Sequence, residues 1–255
     1  MKIAILISGR LKCYDRRLIP LLRKTEDEIH LFCSVNDKEN EVYLDPHSKF
    51  YGTNPQNVDY DAVRKELKPW LKGLNIFPYV LPGIFDENIH PKGFVNIHTN
   101  TPYPKPWNGM SMFYNDRKAF EMATEYADDN GFEYDAYMKY RSDIITNHLP
   151  KINISDKHKI FSVVPWCNHR SPIVTRDPIG YGEVVPWVSD AIVYGNRKSM
   201  DSYTQTYSFC MEMVKLFDGK YPCNFEPSVT QNAHDKNLEI EYFNNPYTID
   251  PSRHQ

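Results

Sequence analysis

The run Lys2-Ile-Ala-Ile-Leu-Ile-Ser8 constrains this chain most. Ile3 through Ile7 are all apolar, so the segment has no polar face to offer water. A short run of this kind, closed by Gly9, reads as a strand buried on both sides, as in a parallel sheet covered by helices. The following segments continue the theme. Apolar residues at helix-compatible spacing occupy Arg16–Lys24, and Glu28–Val35 alternates at Ile29, Leu31 and Cys33. Asp59–Leu71 has Val63, Leu67 and Leu71 at one-turn spacing, with Pro69 as a weak point for a helix, and Asn75–Leu81 reads as a third strand. This β-α-β-α-β order predicts an α/β fold with a mostly parallel central sheet flanked by helices.

The rest of the chain is less regular. Asp86–Trp107, with His90, Pro91, Gly93, His98, Pro102 and Pro104, keeps no period and reads as a long surface loop. Gly109–Asp128 has a broad apolar face (Met112, Phe113, Ala119, Phe120, Ala123, Tyr126) and predicts a helix, ended by Asp129-Asn130-Gly131. A strand through Tyr137 and Met138 runs into Arg141-Ser142-Asp143. Lys159–Val164 and Ser189–Tyr194 read as strands, and the Pro- and Gly-containing stretch 165–188 between them reads as a loop. Lys198–Phe217 is helical in pattern with one break, Asn224–Asp235 is a helix with Pro227 in its first turn, and Leu238–Phe243 is a last strand. At 255 residues the chain fits one generous domain.

Several function classes are excluded. Lys and Arg total 30 against 33 Asp and Glu, a net charge of −3, so no basic excess points to nucleic acid. No apolar run approaches the ~20 residues of a membrane span, and Met1-Lys2 leads straight into a strand. A soluble, cytoplasmic protein without a signal peptide is expected. The cysteines, Cys13, Cys33, Cys167, Cys210 and Cys223, form no closely spaced pair and read as free thiols rather than a zinc site. No pair of histidines at metalloprotease spacing, no G-x-S-x-G, no G-x-G-x-x-G and no phosphate-loop signature is present.

Four short segments could carry chemistry. Arg141-Ser142-Asp143 follows a central strand, at the sheet edge where open α/β folds bind ligands. A carboxylate there could hold Mg²⁺ or Mn²⁺ against a diphosphate; Asp143 could equally cap the next segment or pair with Arg141. Ser8-Gly9-Arg10 ends the first strand, where Gly9 allows close backbone approach and Arg10 offers a fork to phosphate; a plain turn explains it as well. Asp190 opens a strand after a loop holding Trp166, Tyr181 and Trp187. It could deprotonate a sugar hydroxyl while the rings stack on the sugar, or simply make a turn. Glu226 begins a helix, where the dipole favours any carboxylate. The aromatic content, 14%, suits sugar stacking and core filling alike.

Taken in order, Ile3–Arg10, Tyr134–Asp143, Ser189–Gly195 with Met200–Tyr203, and Phe225–Pro227 resemble the small soluble GT-A-type glycosyltransferases of large DNA viruses, phages and bacterial polysaccharide clusters. The resemblance spans Lys2 to about Phe243. It implies one Rossmann-like GT-A domain over 1–255: a nucleotide-sugar half at about 1–145, an acceptor half at about 146–243 and a tail at 244–255. It also implies a UDP- or GDP-linked sugar donor, a glycan or glycoprotein acceptor, Mn²⁺ or Mg²⁺, and a protein that can be virus-encoded and act in a host cell. Ser8, Gly9 and Arg10 would lie against the nucleotide, and Asp116 or Arg117 near the sugar or phosphate. Trp166, Tyr181 and Trp187 would receive the acceptor. The family carries Asp-x-Asp where this chain has Arg141-Ser142-Asp143, which leaves Asp143 as the matching metal ligand and Arg141 as a direct donor contact. Asp190, favoured, and Glu226 are the two candidate bases. A sugar-nucleotide pyrophosphorylase and a non-catalytic carbohydrate-binding protein are the alternatives.

Overall fold

The computed structural model describes residues 1–9, 11, 13–37, 59–77, 95–96, 101–102, 106–154, 158–164, 170–176, 179–216 and 225–249. In chain order the elements are β1 (Lys2–Gly9), α1 (Leu18–Leu22), β2 (Glu28–Asn36), α2 (Tyr60–Leu67), β3 (Leu71–Phe77), β4 (Val95–Asn96), β5 (Thr101–Pro102) and α3 (Pro106–Asp129). Then come β6 (Ala136–Tyr140), β7 (Ile144–Ile145), β8 (Lys159–Val163), β9 (Arg170–Arg176), β10 (Ile179–Pro186) and β11 (Ile192–Gly195). The chain closes with α4 (Arg197–Thr204), α5 (Thr206–Leu216), α6 (Phe225–Asp235), β12 (Glu239–Phe243) and β13 (Thr248–Ile249).

A seven-stranded sheet in the order β12-β8-β11-β6-β1-β2-β3 forms the centre. All its pairings are parallel except those of β11, which runs antiparallel to both β6 and β8. The fold is therefore a mixed α/β, Rossmann-like sheet flanked by helices. Side chains alternate between two cores, as strand geometry requires. Ala4, Leu6, Phe32, Tyr137 and Val193 face one core, filled by Phe113 and Phe120 of α3, Met200 of α4, Met213 of α5 and Val229 of α6. Ile3, Ile5, Ile7, Leu31 and Met138 face the other, filled by Leu18 and Leu22 of α1 and Val63 and Leu67 of α2. Burial on both faces explains why β1 has no polar alternation.

Local signals set several boundaries. Asp59 caps α2, its carboxylate accepting from the amides of Asp61 and Ala62 at 3.1 and 3.0 Å. Gly131, at φ +67°, ends α3: its amide donates to the Asp128 carbonyl and the Phe132 amide donates to the Ala127 carbonyl, as at a left-handed C-cap. The helix expected over Asp59–Leu71 stops at Leu67. The third strand starts at Leu71 rather than Asn75 because pairing with β2 begins at Leu31 opposite Leu71. The expected single helix over Lys198–Phe217 divides into α4 and α5 at Gln205.

One expectation fails. The stretch read as a loop at 165–188 contains an antiparallel β9–β10 hairpin. Its Pro172, Pro178 and Pro186 and its glycines read as breakers, yet proline is tolerated on a two-stranded ribbon whose outer edges need no partner. Within the expected tail, Thr248–Ile249 pairs as β13 with β7, directly beyond Asp143, and residues 250–255 lie outside the described residues. Most of Asp86–Trp107 lies outside the described residues. Among the described residues, no helix is long and apolar enough to cross a membrane. Cys13, Cys33 and Cys210 are free thiols; Cys167 and Cys223 lie outside the described residues.

Candidate active site at the carboxyl ends of the central strands

β1, β2 and β6 run in parallel, so Gly9, Asn36 and Tyr140 end on the same edge of the sheet. β11 runs the other way. Its first residue, Ile192, therefore pairs with the last residue of β6, Tyr140, and the Arg141 amide donates to the Ala191 carbonyl at 3.0 Å. An antiparallel strand thus brings Asp190, two residues ahead of its start, to the place where the parallel strands deliver their trailing residues. α6 is tied to the same segment, since the Val188 amide donates to Thr230 Oγ1 at 2.9 Å, and Glu226 lies in the first turn of α6.

Arg141 holds this edge together. Its Nε and Nη2 donate to Asp143 Oδ1 and Oδ2 at 3.0 and 2.9 Å, and its Nη1 donates to Asp190 Oδ2 at 2.6 Å. The three side chains are partly open, at 24% exposure for Arg141, 15% for Asp143 and 13% for Asp190. Burial works against the Arg141 charge, but Asp190 and Asp143 outweigh it and raise its pKa above the ordinary value.

Two residues earlier on β6, Lys139 faces α3 and donates to Asp116 Oδ2 at 2.8 Å, with side-chain exposures of 2% and 4%. Burial pushes the Asp116 carboxyl above its ordinary range, opposed by Lys139 and by the nearby Ser8 side chain. Asp116 Oδ1 and the Tyr203 hydroxyl are both buried without a hydrogen-bond partner. Burial, and then the charges of Asp116, Asp190 and Glu226, raise the Tyr203 pKa. Glu226 belongs to the same field. Burial, then Asp190, pushes its carboxyl up to about 7, and Arg141 and Lys139 restrain the rise. A carboxyl in this range exchanges a proton near neutral pH, which suits acid–base work.

The residues singled out in the sequence separate into groups. Asp116, Arg141, Asp143, Asp190 and Glu226 form one electrostatic cluster, and Ser8 stands at its margin. Gly9 ends β1 at φ +82°, and a Cβ there would meet no atom of the described residues within 4 Å. Arg10 and Trp166 lie outside the described residues. Tyr181 is 69% exposed on β10. Trp187 is only 8% exposed and serves as a core side chain, not an open platform.

Arg117, expected near the donor, points away from the cluster. It pairs with Glu121 at 2.9 Å and Asp201 at 2.6 Å, and lines a cleft of about 510 Å³ running between α3 and the start of α4. Two members of the neighbourhood were not anticipated, Lys139 and Tyr203. A signal existed for Lys139, since a lysine inside an otherwise apolar strand must find a buried counter-ion.

A divalent cation does not fit the described donor set as it stands. Asp143 grips Arg141 with both oxygens, and among the described residues no group of three or more His, Cys, Asp or Glu side chains is placed to hold a metal ion.

No family model and no curated protein matches this chain, so the likeness to glycosyltransferases rests on its motifs. Among solved structures, one similar in outline is the nucleoside-diphosphate-sugar pyrophosphorylase from Vibrio cholerae RC9, with a TM-score of 0.48 and 11% identity over 98% of this chain and 97% of that one. A likeness at that level says nothing about activity.

Proposed function

We propose that this chain is a GT-A-type glycosyltransferase that moves a sugar from a UDP- or GDP-linked donor to a hydroxyl of a glycan or glycoprotein acceptor. The observation that carries the reading is Glu226, a carboxyl raised to about 7 by burial and by Asp190, at the carboxyl-end edge of the sheet. Transfer to a hydroxyl needs a group that can take the hydroxyl proton, and a base with a pKa near the working pH does so best. In the proposed step the acceptor oxygen bonds to the anomeric carbon and the bond from that carbon to the diphosphate breaks. The bonding pair leaves with the nucleoside diphosphate, and the acceptor proton passes to Glu226.

Asp190, favoured as the base from sequence, takes a positioning role in this scheme, because its Oδ2 accepts a 2.6 Å bond from Arg141. Ser8 and Gly9, with Arg10 following, are proposed to meet the donor phosphates at the carboxyl end of β1. Tyr181 on the β9–β10 hairpin is proposed to meet the acceptor.

The test is incubation with a panel of UDP-, GDP- and TDP-sugars, scored for the products released. Nucleoside diphosphate release that disappears in Glu226→Gln supports the proposal. Pyrophosphate-dependent release of sugar phosphate would instead identify a pyrophosphorylase. Sugar binding without any release would identify a carbohydrate-binding protein.

A further inference from the structure

We infer that Arg141 is itself the resident cation of the Asp143–Asp190 site, so that no divalent metal binds there, and that removing Arg141 uncovers a divalent-cation site the wild-type chain lacks. Asp143 follows β6 and Asp190 precedes β11. The two carboxylates come from separate strands and converge on one guanidinium through three bonds of 2.6 to 3.0 Å. This is the position a shared cation would take. A metal would have to share or displace the two-oxygen contact between Asp143 and Arg141, and in sharing it would sit beside the fixed positive charge of the guanidinium.

Arg141 is also a cation that working pH cannot discharge, since a guanidinium does not lose its proton in proteins. Removing the Arg141 side chain takes one positive charge from between two carboxylates that are 15% and 13% exposed, and like charges brought together favour uptake of a replacement cation. Both side chains are held near each other by backbone pairing that does not involve Arg141's side chain: Ile192 lies opposite Tyr140, and the Arg141 amide bonds to the Ala191 carbonyl. Deleting the guanidinium therefore leaves the carboxylates facing a common space.

The inference concerns metal uptake and stands whether or not the proposed transfer reaction is correct. The experiment adds Mn²⁺ alone to the full chain and follows free Mn²⁺ by its paramagnetic resonance signal, alongside thermal melts in Mn²⁺ and in EDTA. Wild type is expected to take up no more Mn²⁺ than Asp143→Asn. Arg141→Ala is expected to take up one Mn²⁺ per chain more than wild type, at least tenfold more tightly than any wild-type uptake, and to melt higher in Mn²⁺ than in EDTA. Adding Asp143→Asn to that variant should abolish the gain. Wild type exceeding Asp143→Asn by one Mn²⁺ would overturn the inference, as would a folded Arg141→Ala that gains none. Should Arg141→Ala fail to fold, Arg141→Gln carries the same expectation with less lost volume, and the comparison of wild type with Asp143→Asn decides independently.

Discussion

Lys139 and Arg141 lie two residues apart near the end of β6, and they solve the same problem in opposite ways. Lys139 lies inside the strand, sealed by α3, and meets one carboxylate, Asp116, in a neutral pair of 2% and 4% exposure. Arg141 lies just past the strand and meets two carboxylates, Asp143 and Asp190, with 24% of its side chain exposed. The sealed pair has no room to change partners. The triad is partly open, and its Asp190 raises the Glu226 pKa while its Arg141 lowers it. Position relative to the end of one strand thus separates a sealed ion pair from a partly open one. Removing a partner from a buried pair costs the stability of an orphaned charge, whereas altering a partly open one changes chemistry first.

The largest effect should come from breaking the sealed pair. Lys139→Met leaves the Asp116 carboxyl buried without its counter-ion and should destabilise the fold by about 3–5 kcal/mol in urea unfolding. Adding Asp116→Leu should recover much of that loss. If the single variant is as stable as wild type, the two cation sites do not differ as argued.

Glu226→Gln should lower transfer by ~10²-fold or more, read as initial rate at pH 8, because the amide keeps the shape and cannot take a proton. It also has a signature in stability. The Glu226 carboxyl is raised in the folded chain to about 7 from an ordinary 4.5, so its protonated form favours folding below the lower value. That contribution fades as pH rises through about 7. Wild type should therefore fall behind the Gln variant by on the order of 1–3 kcal/mol at pH 8, and the gap should shrink as pH falls and close only below the ordinary 4.5. A gap that does not vary with pH would mean that Glu226 titrates normally.

Asp190→Asn tests the link between triad and base. It removes the second-largest cause of the Glu226 rise, after burial, and releases Arg141 from one of its two carboxylate partners. The rising limb of the pH–rate profile should move to lower pH, with a smaller loss of maximum rate than Glu226→Gln produces. An unmoved limb combined with a larger rate loss would return the base role to Asp190.

Arg117→Ala should do least. Its ion pairs are about a third exposed, so the expected cost is about 0–1 kcal/mol, and donor affinity by calorimetry should stay within twofold of wild type. A larger loss of affinity would tie the α3–α4 cleft to the site.

Much of this was legible from residue order. The wholly apolar Ile3–Ile7 demands burial on both faces, and the Asp129-Asn130-Gly131 stop is a local signal that needs no tertiary context. The hairpin at β9–β10 was not legible, because its prolines and glycines signal turns with equal force when a ribbon's edges are free. Nor does sequence place Trp187, because aromatic rings serve core and platform alike and only the tertiary structure shows it buried.

The sequence by itself determined the layering and the carboxyl-end edge where a ligand would bind, since strand burial and βα order follow from side-chain solubility and short-range periodicity. Only the tertiary structure decided which charges meet. The antiparallel course of β11 carries Asp190 beside Arg141 across a separation of 49 positions, and the packing of α6 brings Glu226 into the same field. A carboxylate's neighbours set its proton affinity, and neighbours that distant in sequence exist only once the sheet has formed.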